Sequence, residues 1–359
     1  MLRGEKPPLN IEITSMTAAR IEFTLRNADV SLANSLRRIM LTEVPTLAID
    51  TVTVRENTGV LHDEYLAHRL GLLPITSTFA HEYQFQHECS CTKKCPRCHV
   101  AYELKITNTE HEPLVVTHRD LRPVNAHIAA IGNEIPLPAD PPLRDEQEFS
   151  ARPGESAIVI TKLARNQSLD ITAEAFKGTG LLHSKWTPAA TAVFQREARV
   201  TIDTKKMQSL PLSQRQAFRD SCPSNVFDLE TKGSYADRVV VRDERACTFC
   251  DDCVNWAIDK KIPDLVAIQE KRGIFHFVVE GTGALDAYQI VESSIKILSD
   301  KLKAFEKAVH DGVTNKDKKE GAAKERERLG GAAGDQQVAL AAQGAAAAAA
   351  AASALPGQI

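Results

Sequence analysis

The stretch Asp29-Val-Ser-Leu-Ala-Asn-Ser-Leu-Arg-Arg-Ile-Met-Leu-Thr-Glu-Val-Pro45 decides how the chain begins to fold. Leu32, Leu36, Ile39, Met40 and Val44 fall at i, i+4, i+7, i+8 and i+12, one apolar stripe on a helix. Asp29 or Ser31 can cap its start. Pro45 stops it, because proline pushes the residue before it out of the helical region. Arg37 and Arg38 sit beside the stripe, and spacing alone reads them as a solvated pair. Upstream, Ile11 and Ile13, then Ile21, Phe23 and Leu25, alternate with polar residues, which predicts two strands with a short connection.

Downstream, Leu47 to Val54 reads as a strand, and Asp63 as the cap of a short helix holding Leu66 and Leu70, ended by Gly71. Residues 75 to 185 read as short strands and loops, with turns at Pro136-Leu-Pro138 and Pro141-Pro142. Ile158 to Leu163 and Leu169 to Phe176 look like two arms of a hairpin around Asn166. Strand character returns at Ile274 to Val279.

A long amphipathic helix is predicted from Asp286 to His310. Its stripe is Ala287, Val291, Ile295, Leu298, Leu302, Phe305 and Val309, with spacings of three or four throughout. At ~1.5 Å per residue it extends about 37 Å, more than a small domain covers with its own core. Periodicity alone leaves two readings open, a core helix and a face for a partner. From residue 311 the chain is low in complexity, includes a run of eight alanines, Ala345 to Ala352, and is expected to be disordered.

The 44 basic and 47 acidic residues leave a net charge of −3. A protein that coats DNA needs a marked Lys/Arg excess, so no direct sequence-specific DNA binding is expected. No apolar run reaches membrane-spanning length, and the amino terminus has no secretory pattern. No D-x-D carboxylate pair of the kind that holds catalytic Mg²⁺ occurs.

The eight cysteines form two sets. A reducing compartment favours metal over disulfides. Cys89-Ser-Cys91-Thr-Lys-Lys-Cys95-Pro-Arg-Cys98 supplies four thiolates within ten residues. They close a tetrahedron suited to structural zinc, with Lys93, Lys94 and Arg97 offsetting charge. His87 or His99 could replace one ligand. In the second set, Cys247-Thr-Phe-Cys250-Asp-Asp-Cys253 gives C-x2-C-x2-C, and Cys222 precedes Pro223. A two-cluster ferredoxin repeats C-x2-C-x2-C-x3-C-P. Here Leu212, Arg215, Phe218 and Ala257 hold the remaining positions. The four surviving cysteines are the ligands of one cluster of the pair, which favours one [4Fe–4S] site over a second zinc; an empty site also remains open.

Asn34-Ser-Leu-Arg-Arg-Ile-Met40, with Glu43-Val-Pro-Thr-Leu-Ala-Ile-Asp50, resembles the signature of the α-like subunits of multisubunit RNA polymerases. Leu61-His-Asp-Glu-Tyr-Leu-Ala-His-Arg-Leu-Gly-Leu-Leu-Pro-Ile75 is similar to the same family, as are Leu182-His-Ser-Lys-Trp-Thr-Pro-Ala-Ala190 and Glu280-Gly-Thr-Gly-Ala-Leu285. The loop at 89 to 98 looks like the zinc loop of the third-largest-subunit branch in RNA polymerase II. The second cysteine set resembles the ferredoxin-like insert of some archaeal counterparts.

The resemblance implies an α+β fold. Residues 9–50, 188–202 and 270–310 would form a discontinuous dimerisation domain, residues 51–187 an inserted, mainly-β domain with the zinc loop, and residues 203–269 a ferredoxin-like insert. It implies a non-catalytic assembly subunit of nuclear DNA-directed RNA polymerase II. That subunit pairs with the smaller α-like subunit and recruits the second-largest. Arg37 and Arg38 then become contacts to another subunit, and Val291, Ile295, Leu298, Leu302 and Phe305 a dimer interface. The rival functions are electron transfer by an iron–sulfur protein, an α-like subunit of another nuclear or an archaeal polymerase, and a free zinc-binding transcription regulator.

Overall fold

The Asp29 carboxylate accepts from Ser31 N–H at 3.3 Å and so caps the first helix, α1 (Val30–Thr42). Leu36, Ile39, Met40 and Val44 are buried and Leu32 half-buried, as the stripe requires. The computed structural model describes residues 7–91, 94–124, 137–139, 157–230 and 237–329, with side chains through residue 313. Lys93, Pro136, the Pro141-Pro142 turn and the alanine run lie outside the described residues. The chain divides after Leu298 into two compact units.

Four antiparallel strands form the central sheet: β1 (Asn10–Met16), β2 (Arg20–Arg26), β12 (Val266–Gly281) and β9 (Ala189–Ile202), in that order. Phe23 stands opposite Phe277 with ring centroids 4.8 Å apart, and Leu25 and Ile21 stand opposite Phe275 and Val279. All six are buried with the stripe of α1 in one core. Each such side chain contributes about 1.5–3 kcal/mol of transfer free energy.

A second core belongs to a sheet in the order β3 (Thr46–Asn57), β8 (Ser168–Gly178), β4 (His99–Thr107) and β6 (Arg122–Pro123), covered by α2 (Asp63–Gly71). Leu47 and Ile49, just ahead of residue 51, are buried in this core. His62 rather than Asp63 is the residue preceding α2, and Asp63 instead accepts from the Asn57 amide at 2.8 Å.

The expected hairpin around Asn166 does not form. Residues 159–163 make β7, which pairs with β5 (Leu114–Thr117) in a separate ribbon. Both edges of β8 are taken, by β3 and β4. The turn itself is real: Asn166 has φ 64°, and its N–H donates to Asn108 O at 2.7 Å. Buried Asn108 then holds Leu163 O at 2.9 Å and steers β7 out of the sheet.

A third core fills the segment with the second cysteine set. It holds Met207 of α3 (Thr204–Ser209), Phe218 of α4 (Leu212–Asp220), Ala257 of α5 (Asp252–Asp259), and the ribbon of β10 (Phe227–Leu229) and β11 (Val239–Val241). Ala198, Val200 and Val266 on β9 and β12 also belong to it, so these two long strands serve both the first and the third core.

The last helix, α6, runs Ala287–Leu329. It passes His310, where the expected tail begins, because Lys, Glu, Arg and Ala between 311 and 329 are strong helix formers.

Candidate functional site

The first cysteine set is built on a tight turn leading into β4. Cys98 N–H and His99 N–H donate to Cys95 O at 3.0 and 3.1 Å, and Cys89 N–H to Phe85 O at 3.1 Å. The turn brings all four sulfurs within 4.8 Å of one another. Sγ of Cys89 and Cys95 are 3.6 Å apart, while Cys91–Cys98 and Cys95–Cys98 are 3.7 Å apart. A tetrahedron of sulfurs about 2.3 Å from a central ion has edges of about 3.8 Å. The set has the dimensions of a single-ion site, and four thiolates leave no position open for a substrate.

Burial opposes ionisation of Cys95, but the Arg97 N–H and hydrogen bonds from Cys89, Cys98 and Cys91 outweigh it and lower the thiol to about 6. The hydrogen bond with Cys89, then burial, push Cys91 up to about 12. The sulfurs share protons that a cation would displace. Neither histidine joins them. His99 Nδ1 lies 2.9 Å from Cys95 O, which can only accept, and His87 stacks on Phe85 with centroids 5.5 Å apart. Lys94 pairs with Glu174 and lies over the Phe176 ring, tying the loop to β8.

The second set also converges. Cys222, Cys247, Cys250 and Cys253 line one pocket with Val200, Val226 and Ile268. Cys222, Cys247 and Cys253 are buried and Cys250 is exposed. Cys250 lies between two left-handed residues, Phe249 at φ 58° and Asp251 at φ 61°, which turn the chain around it. Burial, then the charges of Cys222, Cys247 and Cys250, raise Cys253 to about 11. Among the described residues these four make no sulfur–sulfur contact like those of the first set. Phe218 and Ala257, where a two-cluster ferredoxin needs cysteines, are buried core instead. The Phe218 ring packs on Phe227 and Trp256 at 4.8 and 5.4 Å.

The residues expected at subunit contacts divide by burial. Arg37 is half-buried and donates to Asn34 Oδ1 at 3.1 and 2.9 Å; Arg38 is exposed. On α6, Ala287, Ile290, Val291 and Ser294 are buried, and Leu298 packs partly on the same core. Val291 thus packs in its own chain's core. Ile295, Leu302, Phe305 and Val309 are 41%, 60%, 70% and 50% exposed. Sequence reasoning missed β1 as a surface. Ile11 and Ile13 stand opposite Leu25 and Phe23 on the core face of the sheet, yet are 41% and 57% exposed. Their alternation signals a strand with one apolar face, not that the helices fail to cover it.

A family model described as the RNA polymerase Rpb3/Rpb11 dimerisation domain matches residues 22–302, the span that holds most of β2, then α1, β9, β12 and the first turns of α6. The chain belongs to this family. It is 33% identical over 303 residues to the DNA-directed RNA polymerase II subunit rpb3 of Dictyostelium discoideum, covering 84% of this chain and 95% of that one. The Arabidopsis thaliana subunit 3 of DNA-directed RNA polymerases II, IV and V is 36% identical over 297 residues, covering 82% and 89%. A Tetrahymena thermophila conjugation stage-specific protein is 35% identical over 308 residues, covering 86% and 97%. The chain is thus an α-like, Rpb3-type member. Among the described residues no helix is long and apolar enough to cross a membrane.

Proposed function

We propose that this chain is a non-catalytic assembly subunit of DNA-directed RNA polymerase II, acting in the nucleus in mRNA transcription. It pairs with the smaller α-like subunit, and the pair recruits the second-largest subunit. The observation that carries this reading is the apolar stripe of α6 at Ile295, Leu302, Phe305 and Val309, which its own chain leaves in water. Burying such a stripe yields about 25 cal/mol per Å², and the helix of a second α-like chain has the matching fold. Two chains with one fold and different sequences need only pseudo-twofold symmetry.

The division of labour follows the three cores. Residues 9–50, 188–202 and 270–310 serve dimerisation, less the start of β3, which packs with the inserted domain of 51–187; residues 203–269 form the cysteine-bearing insert. Cys89, Cys91, Cys95 and Cys98 hold one structural zinc, which their sulfur spacing suits. Cys222, Cys247, Cys250 and Cys253 hold one [4Fe–4S] cluster rather than a second zinc. A cuboidal cluster binds each thiolate to its own iron and so keeps the sulfurs farther apart than one ion does. Either group would pin its segment.

The test is isolation of the tagged full-length chain from its native cells under mild salt, with partners identified by mass. The expected result is the two largest polymerase II subunits and the smaller α-like subunit in equal amounts. Recovery of redox proteins without polymerase subunits would overturn the proposal.

A further inference from the structure

One strand, β8, holds the first cysteine set from both of its faces. Lys177 shares a face with Ala173 and Ala175, which are buried in the second core, while Glu174 and Phe176 share the other. On the core side the Lys177 ammonium donates to Tyr83 O at 2.7 Å and lies 4.8 Å from the centre of the Phe85 ring. Phe85 O in turn accepts from Cys89 N–H, and Gln84 N–H donates to Arg97 O at 2.9 Å. The segment before the cysteines is thereby tied both to β8 and to the turn between Cys95 and Cys98.

On the other face, Phe176 is buried beneath the residues that flank this turn. The His99 ring stacks on it with centroids 5.9 Å apart, and His99 Nδ1 lies 2.9 Å from Cys95 O. The Lys94 ammonium lies 5.6 Å from the centre of the same ring and pairs with Glu174. None of these contacts involves a sulfur, so none needs an ion in order to form. Gathering four sulfurs costs a loop its conformational freedom, and contacts that already restrict it leave less to be lost when an ion binds.

We infer that Lys177, Glu174 and Phe176 are positioning residues for the four-cysteine site, holding Cys89 and the Cys95–Cys98 turn in the ion-ready pose before a metal arrives. This deepens the zinc reading of the set and rests on it. Groups that orient ligands from behind change metal affinity by about 10–100-fold.

The test uses the full-length chain, stripped of metal under reductant, as wild type, Lys177→Met, Lys177→Arg and Glu174→Gln. Zinc affinity is read by competition with a chromophoric chelator, and hydrogen exchange is followed in the zinc-free chains. Lys177→Met and Glu174→Gln should each weaken zinc binding at least ~10-fold. Both should speed exchange at residues 85–91 and 94–99 but not in β3 or α2. Lys177→Arg, which keeps a charge and donors, should recover most of the affinity. Wild-type affinity in either Lys177→Met or Glu174→Gln overturns the inference, as does loop exchange equal to that of the zinc-free wild type. A loss of affinity accompanied by faster exchange throughout β3 and α2 overturns it as well, since these residues would then serve the whole inserted domain and not the site. A wild-type chain that binds no zinc overturns the metal reading itself, and the inference with it.

Discussion

The ammonium of Lys271 on β12 lies 2.7 Å from Glu244 Oε2, three residues ahead of Cys247. The same ammonium lies 2.7 Å from Glu197 Oε1, Glu197 Oε2 meets His276 Nε2 at 3.0 Å, and His276 Nδ1 meets the Thr24 hydroxyl at 3.0 Å. Polar bonds thus run from β2, across the central sheet, to the segment entering the second cysteine set. Gln195 adds a parallel tie, its amide donating to Arg245 O at 2.7 Å and Cys247 O at 3.1 Å.

Lys271→Met leaves two carboxylates facing one another without their shared cation. Partly exposed pairs of this kind are worth about 1–2 kcal/mol together. Urea unfolding should show that loss, and residues 244–253 should exchange amide protons faster while the zinc loop does not change. Equal protection in the variant would mean that the ties do not hold the insert.

The same carboxylates set an acid limit. Burial opposes the charge on Glu197, but hydrogen bonds from Lys271 and His276 outweigh it and hold the carboxyl below its usual range. A hydrogen bond from Lys271 lowers Glu244 in the same direction. A folded pKa below the unfolded one means that the unfolded chain takes up protons first. The stabilisation is therefore present above about pH 4.3 and lost as pH falls through the folded values. Lys271→Met should make the fall below that pH shallower, measured by denaturant midpoints across the range.

Metal content separates the two cysteine sets. Full-length protein should carry one zinc that Cys95→Ser removes, with residues 85–100 loosened in hydrogen exchange. Protein prepared without oxygen should also be brown, with absorbance near ~400 nm lost on Cys253→Ser. Colourless protein carrying a second zinc would assign the second set to zinc instead.

Much of this was legible in the sequence because it rests on periodicity and close spacing. The stripe of α1 and the ten-residue cysteine loop are local, so they read directly. The hairpin around Asn166 misread because a turn does not reveal which strand takes each edge; β3 and β4 come from far upstream. The Lys271, Glu197, Glu244 and His276 network was invisible, since its members lie on strands and a turn with no shared spacing. The α6 stripe was seen in full, but only packing separates Val291, used by its own core, from Leu302 and Phe305.

That separation gives the most direct measurement. Leu298→Asp would disturb the chain's own core as well as an interface, whereas Leu302 and Phe305 are 60% and 70% exposed. The full chain with Leu302→Asp and Phe305→Asp is co-expressed with the smaller α-like subunit, and the complex is measured by native mass and titration calorimetry. The melting midpoint of the isolated chain should not change. Pairing should weaken by at least ~1,000-fold, because a charge forced into a dry contact costs several kcal/mol. A double variant that still forms the heterodimer with wild-type affinity would contradict the assignment of the α6 stripe as the pairing surface.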